Sequence, residues 1–120
     1  MNMLNSIILE GNVIKTGTLE RQHANINQIE FTIGVERHYI NLERKDVNEI
    51  SEFSIVGYGN LAEYFAENKN KVGQGIRVVG RLKQIKWLDG DKECSRVVII
   101  AEHIEYKPAK KETKHEKSVF

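Results

Sequence analysis

The stretch GQGIRVVGRLKQIKWLDGDKECSRVVIIAEHIEY, residues Gly73–Tyr106, carries the strongest structural signal in this chain. Two β-rich runs flank an Asp-Gly turn at Asp89-Gly90, which predicts a β-hairpin. Strand side chains alternate between two faces, so the first run has one apolar face and one face that carries cations and ends in Trp87. The apolar face suits a core, whereas cations and a flat ring suit the phosphates and bases of a single-stranded nucleic acid. The predicted apolar face is Ile76, Val78, Gly80 and Leu82, and the predicted cationic face is Arg77, Val79, Arg81, Lys83, Ile85 and Trp87.

Length and composition indicate one globular domain. The chain has 120 residues, of which 40% are hydrophobic and 29% are charged, an ordinary composition for a domain with a real core. No apolar run approaches the roughly 20 residues that a membrane span needs. The start of the chain lacks the basic region and cleavage site of a signal peptide, so the sequence predicts a cytoplasmic protein without a membrane partner.

The formal net charge of +1 is unevenly distributed. From Lys107 onward there are five lysines and two glutamates, which leaves 13 basic and 15 acidic side chains in residues 1–106. The folded part is therefore not basic as a whole. Any nucleic-acid site must be a local stripe of positive charge.

The remaining chain supplies three further strands and one helix. Before the hairpin, alternating apolar residues or short apolar runs predict strands at Asn5–Ile14, Gln28–Ile40 and Glu52–Tyr58. The densely charged segment Asn41–Ile50 has no periodicity and is predicted to be an exposed, mobile loop. Leu61–Glu67 is predicted to be a helix, with Asn60 as its N-cap.

This order of elements predicts an all-β fold. Five strands with one helix between strands 3 and 4 form the layout of a five-stranded OB-fold Greek-key barrel. We place this domain at residues 1–107. Residues 108–120, lysine-rich and almost without apolar side chains, are predicted to be a short, basic, disordered tail.

The chain resembles bacterial single-stranded-DNA-binding proteins over residues 4–106, with the family's blocks in the family's order. The most specific matching block is Gly73–Leu82, and the similarity continues from it through Lys86-Trp87 to the Asp-Gly turn. The matching blocks are LNSIILEGN (Leu4–Asn12), FTIGV (Phe31–Val35), YGNLAE (Tyr58–Glu63) and GQGIRVVGRL (Gly73–Leu82).

The resemblance implies a homotetramer around which single-stranded DNA wraps, with bases stacked on aromatic rings. By position, Tyr39, Tyr58 and Trp87 match the family's stacking aromatics. The family's fourth stacking position falls at Glu52, or at Phe53 if the register slips by one residue. Alternation turns Phe53 towards the core, so this fourth ring is expected to be missing. The family's acidic tip, which recruits other enzymes, has no counterpart in the short basic tail, so recruitment of partners by that route is not expected.

Nearby cations complete the predicted binding site, as phosphate contacts. From the residues alone, Trp87 could also pack under a loop and Tyr58 could also cap the barrel, and any one cation could simply be solvated. Ile7, Ile8 and Leu9 are a candidate pairing strand between subunits. The predicted DNA-binding residues are Arg37, Tyr39, Tyr58, Arg77, Arg81, Lys83, Lys86 and Trp87.

No pattern in the chain predicts catalysis. The segment Gly57–Ala62 partly fits a dinucleotide fingerprint, but the chain is too short for the doubly wound sheet that this fingerprint requires. Cys94 is the only cysteine, which excludes an intrachain disulfide, and a buried, inert thiol is expected. The four histidines are scattered, with no metal-binding spacing. We therefore expect no enzyme activity, no cofactor and no metal site.

Two functions remain from the sequence. The first is sequence-nonspecific single-stranded DNA binding in DNA replication, recombination and repair. The alternative is a primosomal or replication-restart accessory, or a protein-interaction OB module, that binds DNA weakly. The acidic balance of residues 1–106 and the glutamate at the fourth stacking position favour the alternative.

Overall fold

A computed structural model describes residues 1–21 and 26–108 of the chain. These residues form six strands and one helix. In chain order the elements are β1 (Ile7–Lys15), β2 (Glu20–Arg21), β3 (Asn27–Ile40), β4 (Asp46–Tyr58), α1 (Gly59–Asn68), β5 (Gly75–Asp89) and β6 (Lys92–Tyr106).

The five long strands close into a barrel. The hydrogen-bonded order is β1-β5-β6-β4-β3-β2, and an additional pairing between β1 and β3 closes the sheet. The β4–β6 pairing is parallel and the others are antiparallel. The short β2 pairs with β3 alone. This architecture confirms the predicted five-stranded OB-fold barrel, with its helix between the third and fourth long strands.

Alternation along the strands builds the core. In β3, Ile29, Phe31 and Ile33 point inward and are buried, as their period of two predicts. The helix closes the barrel through Phe65, whose ring stacks on Phe31 with a centroid distance of 3.9 Å. Tyr106 lies beside Phe65, and burial raises its pKa to about 12, with a smaller contribution from the nearby Tyr64.

The helix is longer than the sequence predicted. It begins at Gly59 and ends at Asn68, so Asn60 lies inside its first turn and the prediction of Asn60 as N-cap is wrong. The N-cap is Tyr58, which makes no capping hydrogen bond through its side chain. Gly59 has a φ of +64°, a conformation that glycine adopts without steric cost, and this allows the chain to turn directly from β4 into the helix.

The segment Asn41–Ile50 is not a long loop, which corrects the prediction. Strand β4 begins at Asp46, which pairs with Ile40, so only Asn41–Lys45 form a turn. The Asn41 side-chain oxygen accepts hydrogen bonds from the backbone N–H groups of Glu43 and Lys45. Backbone hydrogen bonds between β3 and β4 hold this end of the hairpin, here called the β3–β4 arm, although few of its side chains are buried. Because a strand without a buried face needs no apolar side, its sequence shows no hydrophobic period.

The hairpin of β5 and β6 also extends beyond the barrel. The inward face of β5 ends at Gly80, where the β6 register shifts, and Leu82 is 46% exposed, so Leu82 is not the core residue that alternation predicted. Phe53 is partly buried against the core, as expected. Cys94 lies opposite Trp87 in the β5–β6 hairpin and is only partly buried, so the prediction of a buried thiol is wrong.

Gly80 gives a test of this close strand packing. A Cβ built at Gly80 would overlap the carbonyl oxygen of Ile100, which is backbone and cannot rotate away. We expect Gly80→Ala to destabilise the fold by about 1–3 kcal/mol, measured by urea denaturation. Gly34→Ala is the matched control, because its Cβ would meet only side-chain atoms of Ile14 and Ile50, at 3.1 Å and 3.4 Å. An equal loss in both variants would contradict this account.

The predicted basic tail lies almost wholly outside the described residues, which reach Pro108. Two of the four histidines, His23 and His115, also lie outside them. Among residues 1–21 and 26–108, no helix has the length and apolar character that crossing a bilayer requires.

Candidate nucleic-acid interface

One face of the sheet carries two of the three predicted stacking aromatics. Residues directly opposite each other in neighbouring strands point to the same side, so the register of β3, β4, β6 and β5 defines one continuous surface, here called the outer face. The outer face includes Gln28, Glu30, Thr32, Ser54, Val56, Tyr58, Arg81, Lys83, Ile85, Trp87, Cys94, Arg96, Val98 and Ile100.

Tyr58 and Trp87 lie at opposite ends of the outer face. Tyr58 ends β4, two residues after Val56, which pairs with Ile100 of β6; Trp87 pairs with Cys94 of the same strand. The two positions are therefore about 26 Å apart along the strands, at roughly 3.3 Å per residue. They are 40% and 44% exposed, so each has ring surface available to a ligand.

Tyr39 is not brought to the same surface. In the β3–β4 ladder it pairs with Val47, and its odd spacing from Gln28 places it on the opposite face of these strands from Tyr58. The guanidinium carbon of Arg37 lies 4.8 Å from the centroid of the Tyr39 ring. These two predicted residues thus form their own cation–π pair on the β3–β4 arm.

Two of the predicted phosphate ligands are already paired with carboxylates. Arg77 donates through Nε to Glu10 at 2.7 Å and also contacts Glu105 at 3.2 Å. Arg81 lies 3.5 Å from a carboxylate oxygen of Glu102. The hydrogen bond from Arg77 lowers the pKa of Glu10 below its usual value. These arginines contribute less free positive charge than the sequence alone implied.

The two predicted lysines differ in position. Lys83 lies on the outer face, between Arg81 and Ile85, whereas Lys86 alternates to the other side of the hairpin from Trp87. Within residues 1–21 and 26–108, no carboxylate oxygen approaches either lysine to within 4.0 Å. Lys83 is therefore the predicted cation of the outer face that is free of a carboxylate partner in the described chain.

Arg96 also lies on the outer face but was not among the predicted DNA-binding residues. Its guanidinium forms a two-point ion pair with Glu30, with Nη1 and Nη2 donating to the two carboxylate oxygens at 2.6 Å and 2.9 Å. The hydrogen bond from Arg96 is the largest cause of a lowered pKa at Glu30, so this carboxylate is ionised at neutral pH. The hairpin register was the available signal, because pairing across the Asp-Gly turn places Arg96 beside Trp87 on the outer face.

An apolar layer supports these polar groups. Val56, Val98 and Ile100 lie on the outer face yet are almost completely buried, and Ile85 packs against them. This surface has buried apolar residues beneath it, half-exposed aromatic rings at both ends and cations between them, so it can stack bases and contact phosphates. No group of three or more potential metal ligands occurs within the described part of the chain.

Comparison with known sequences places the chain in a family. It is 32% identical over 102 residues to the single-stranded DNA-binding protein of Aquifex aeolicus, covering 85% of this chain and 69% of that protein. It is 25% identical over 107 residues to the single-stranded DNA-binding protein of Fusobacterium nucleatum, covering 89% and 69%.

Solved structures of low sequence identity share the fold. A deletion mutant of the Thermus aquaticus single-stranded DNA binding protein superposes with a TM-score of 0.77 at 20% identity, over 88% of this chain, which spans about half (51%) of that one. A Plasmodium falciparum SSB in complex with ssDNA gives a TM-score of 0.79 at 17% identity, over 90% and 98% of the two chains.

The family assignment itself comes from a sequence model of the whole domain. The model of the single-strand binding protein family matches residues 4–107, which includes every strand of the barrel and confirms the resemblance seen in the sequence. This chain belongs to the single-strand binding protein family.

Proposed function

We propose that this chain binds single-stranded DNA without sequence preference, and that it serves DNA replication, recombination and repair in the cytoplasm. The observation that carries the proposal is the placement of Tyr58 and Trp87, both half-exposed, on one supported face of a closed barrel. Membership of the single-strand binding protein family supports the same conclusion. Proteins of this family are non-enzymatic, so the prediction that this chain is not an enzyme is confirmed.

In the proposed mechanism, rings hold bases and cations hold phosphates. Bases stack on Tyr58 and Trp87, each stacked base contributing about 1–3 kcal/mol. Lys83 contacts the backbone between the two rings. The Arg37–Tyr39 pair offers a third stacking position on the β3–β4 arm, where a strand leaving the outer face can continue. Stacking reads no base identity, because every base has a π-face.

Assembly would extend the binding surface. One barrel covers about 4–16 nucleotides, and linking several barrels raises the affinity through effective concentration. The Ile7–Gly11 part of β1 pairs with β5 on one side, and Ile8 on this strand is 65% exposed. We propose that β1 pairs with a second copy, within the homotetramer that the family resemblance implies.

A second candidate function is a protein-interaction barrel that binds DNA weakly. Three observations favour it. Arg77 and Arg81 are paired with carboxylates, and Glu52, at the expected fourth stacking position, is exposed. Under this alternative the barrel acts as a replication-restart accessory or a scaffold.

Titration with unlabelled oligo-dT discriminates the two functions, because Trp87 is the only tryptophan and its fluorescence reports directly on the outer face. For the DNA-binding function we expect strong quenching at low salt, reversed by added salt through counterion release. No change in fluorescence at micromolar protein and low salt would instead support the protein-interaction barrel.

The salt dependence also tests which cations contact phosphates. Each phosphate contact on a single strand contributes about −0.7 to the slope of log K against log salt. We expect Lys83→Gln to make this slope shallower by about 0.7, measured in the same titration between low and moderate salt. Lys71→Gln, near the end of the helix and away from the outer face, is the matched control. Equal slopes in wild type and Lys83→Gln would remove Lys83 from the interface.

A further inference from the structure

The Arg96–Glu30 ion pair crosses the outer face. Arg96 belongs to β6 and Glu30 to β3, and β4 lies between these strands in the sheet. The pair must therefore reach over β4, where Ser54 contributes a side-chain hydrogen bond to Glu30. Each end of the ion pair lies near one of the two rings. Arg96 is two residues from Cys94, which pairs with Trp87. Glu30 pairs with Val56, which is two residues from Tyr58.

A strand of DNA that stacks on both rings would have to pass over this ion pair. The route from Tyr58 to Trp87 along the outer face runs across Val56, Ile100 and Val98, which are almost completely buried. The side chains of Arg96 and Glu30 remain 44% and 34% exposed, so a backbone lying on this face can reach both.

The geometry of the pair matches that of a phosphate contact. A guanidinium binds carboxylate and phosphate in the same two-point arrangement, with two parallel N–H donors. In the free protein the Glu30 carboxylate occupies the edge of the Arg96 guanidinium formed by Nη1 and Nη2. A phosphate can therefore replace the carboxylate on Arg96 without a change in the position of the guanidinium.

We infer that Arg96 is a phosphate ligand of this interface and that Glu30 is a built-in competitor, which the DNA backbone must displace. The inference rests on the proposed function. It implies that the free outer face is partly self-neutralised, so that a single barrel binds DNA less tightly, and with a weaker salt dependence, than its cations would allow. DNA that reaches Arg96 leaves Glu30 near the phosphates, which opposes binding.

The test is a mutant cycle on the full chain, with oligo-dT titrated across a salt series. Variants are Glu30→Gln, Arg96→Gln and the double substitution. We expect Glu30→Gln to tighten binding by about 5- to 10-fold and to steepen the log K against log salt slope by about 0.7, because one more phosphate is neutralised. In the Arg96→Gln background, the same glutamate substitution is expected to change affinity by less than about twofold.

Each outcome decides the inference. A gain from Glu30→Gln that is as large without Arg96 as with it would be a general charge effect and would overturn the inference, as would no gain at all. Glu67→Gln, which removes a carboxylate at the exposed end of the helix, measures that general effect. Ser54→Ala, which removes one hydrogen bond to Glu30, gives a smaller gain in the same direction and replaces Glu30→Gln if that variant fails to fold. Wild-type protein that does not bind oligo-dT would refute the proposed function itself.

Discussion

Replacing Trp87 with alanine is expected to weaken binding of oligo-dT by roughly 5- to 150-fold, because one stacked base contributes about 1–3 kcal/mol. The ring is 44% exposed, lies on a hairpin arm beyond the barrel, and belongs to neither buried cluster of the core. The variant should therefore keep a thermal unfolding midpoint close to that of the wild type. Since the substitution removes the only tryptophan, affinity is measured by anisotropy of a labelled oligo-dT.

Trp87→Phe is the matched control for the Trp87 prediction. Phenylalanine keeps a flat ring at the same place and should retain most of the affinity, which separates loss of stacking from a disturbance of the hairpin. Wild-type affinity in the alanine variant, with the fold intact, would show that bases do not stack at this end of the outer face. Tyr58→Ala provides the same test at the other end.

The relative placement of Tyr58 and Trp87 illustrates what the sequence could predict. Each residue sits next to a strong local signal, a strand–helix junction for Tyr58 and an Asp-Gly turn for Trp87. These signals fix the ends of strands, and alternation then fixes the face. Their common surface follows from the barrel topology, which the order of strands and helix already predicted.

Tyr39 and Arg96 show why the rest of the interface could not be read from local patterns. Alternation within β3 alone does not say which face continues onto β4 and β6, so the side on which Tyr39 lies depends on the β3–β4 register. The pairing of Arg96 with Glu30 joins strands that are not adjacent, over a sequence separation of 66 residues. Ion pairs between residues that are distant in the chain produce no periodic pattern in the sequence. These pairs nevertheless determine which cations have no carboxylate partner and can contact a phosphate.

The ends of the β3–β4 and β5–β6 hairpins, which extend beyond the barrel, could not be predicted from local patterns either. The segment Asn41–Ile50 was predicted to be a loop because charge without periodicity normally indicates one, yet β4 starts at Asp46. Leu82 was predicted to be buried because alternation carries no information on where a strand leaves the barrel. In both arms, hydrogen bonding between strands replaces burial as the source of order.

Phe65→Ala is expected to lower the free energy of unfolding by about 3–5 kcal/mol, a large part of the roughly 5–15 kcal/mol of a typical domain. Phe65 is fully buried and stacks on Phe31 at 3.9 Å, so truncation leaves a cavity between the helix and the barrel and removes the contact with the Tyr106 ring. Urea denaturation followed by far-UV circular dichroism measures the loss as a lower midpoint at an unchanged slope.

The adjacent Tyr64 supplies the control for Phe65. It is 50% exposed on the same helix, so Tyr64→Ala should cost well under the loss at Phe65, whereas equal losses would mean that the helix is not docked through the Phe31–Phe65 stack. Phe65 lies in the barrel interior, so the folded fraction of Phe65→Ala should bind oligo-dT with the wild-type affinity. Trp87→Ala has the opposite profile, with weakened binding and unchanged stability. A barrel whose interior and outer face act independently must give both results, because the residues that hold the strands together do not contact the ligand.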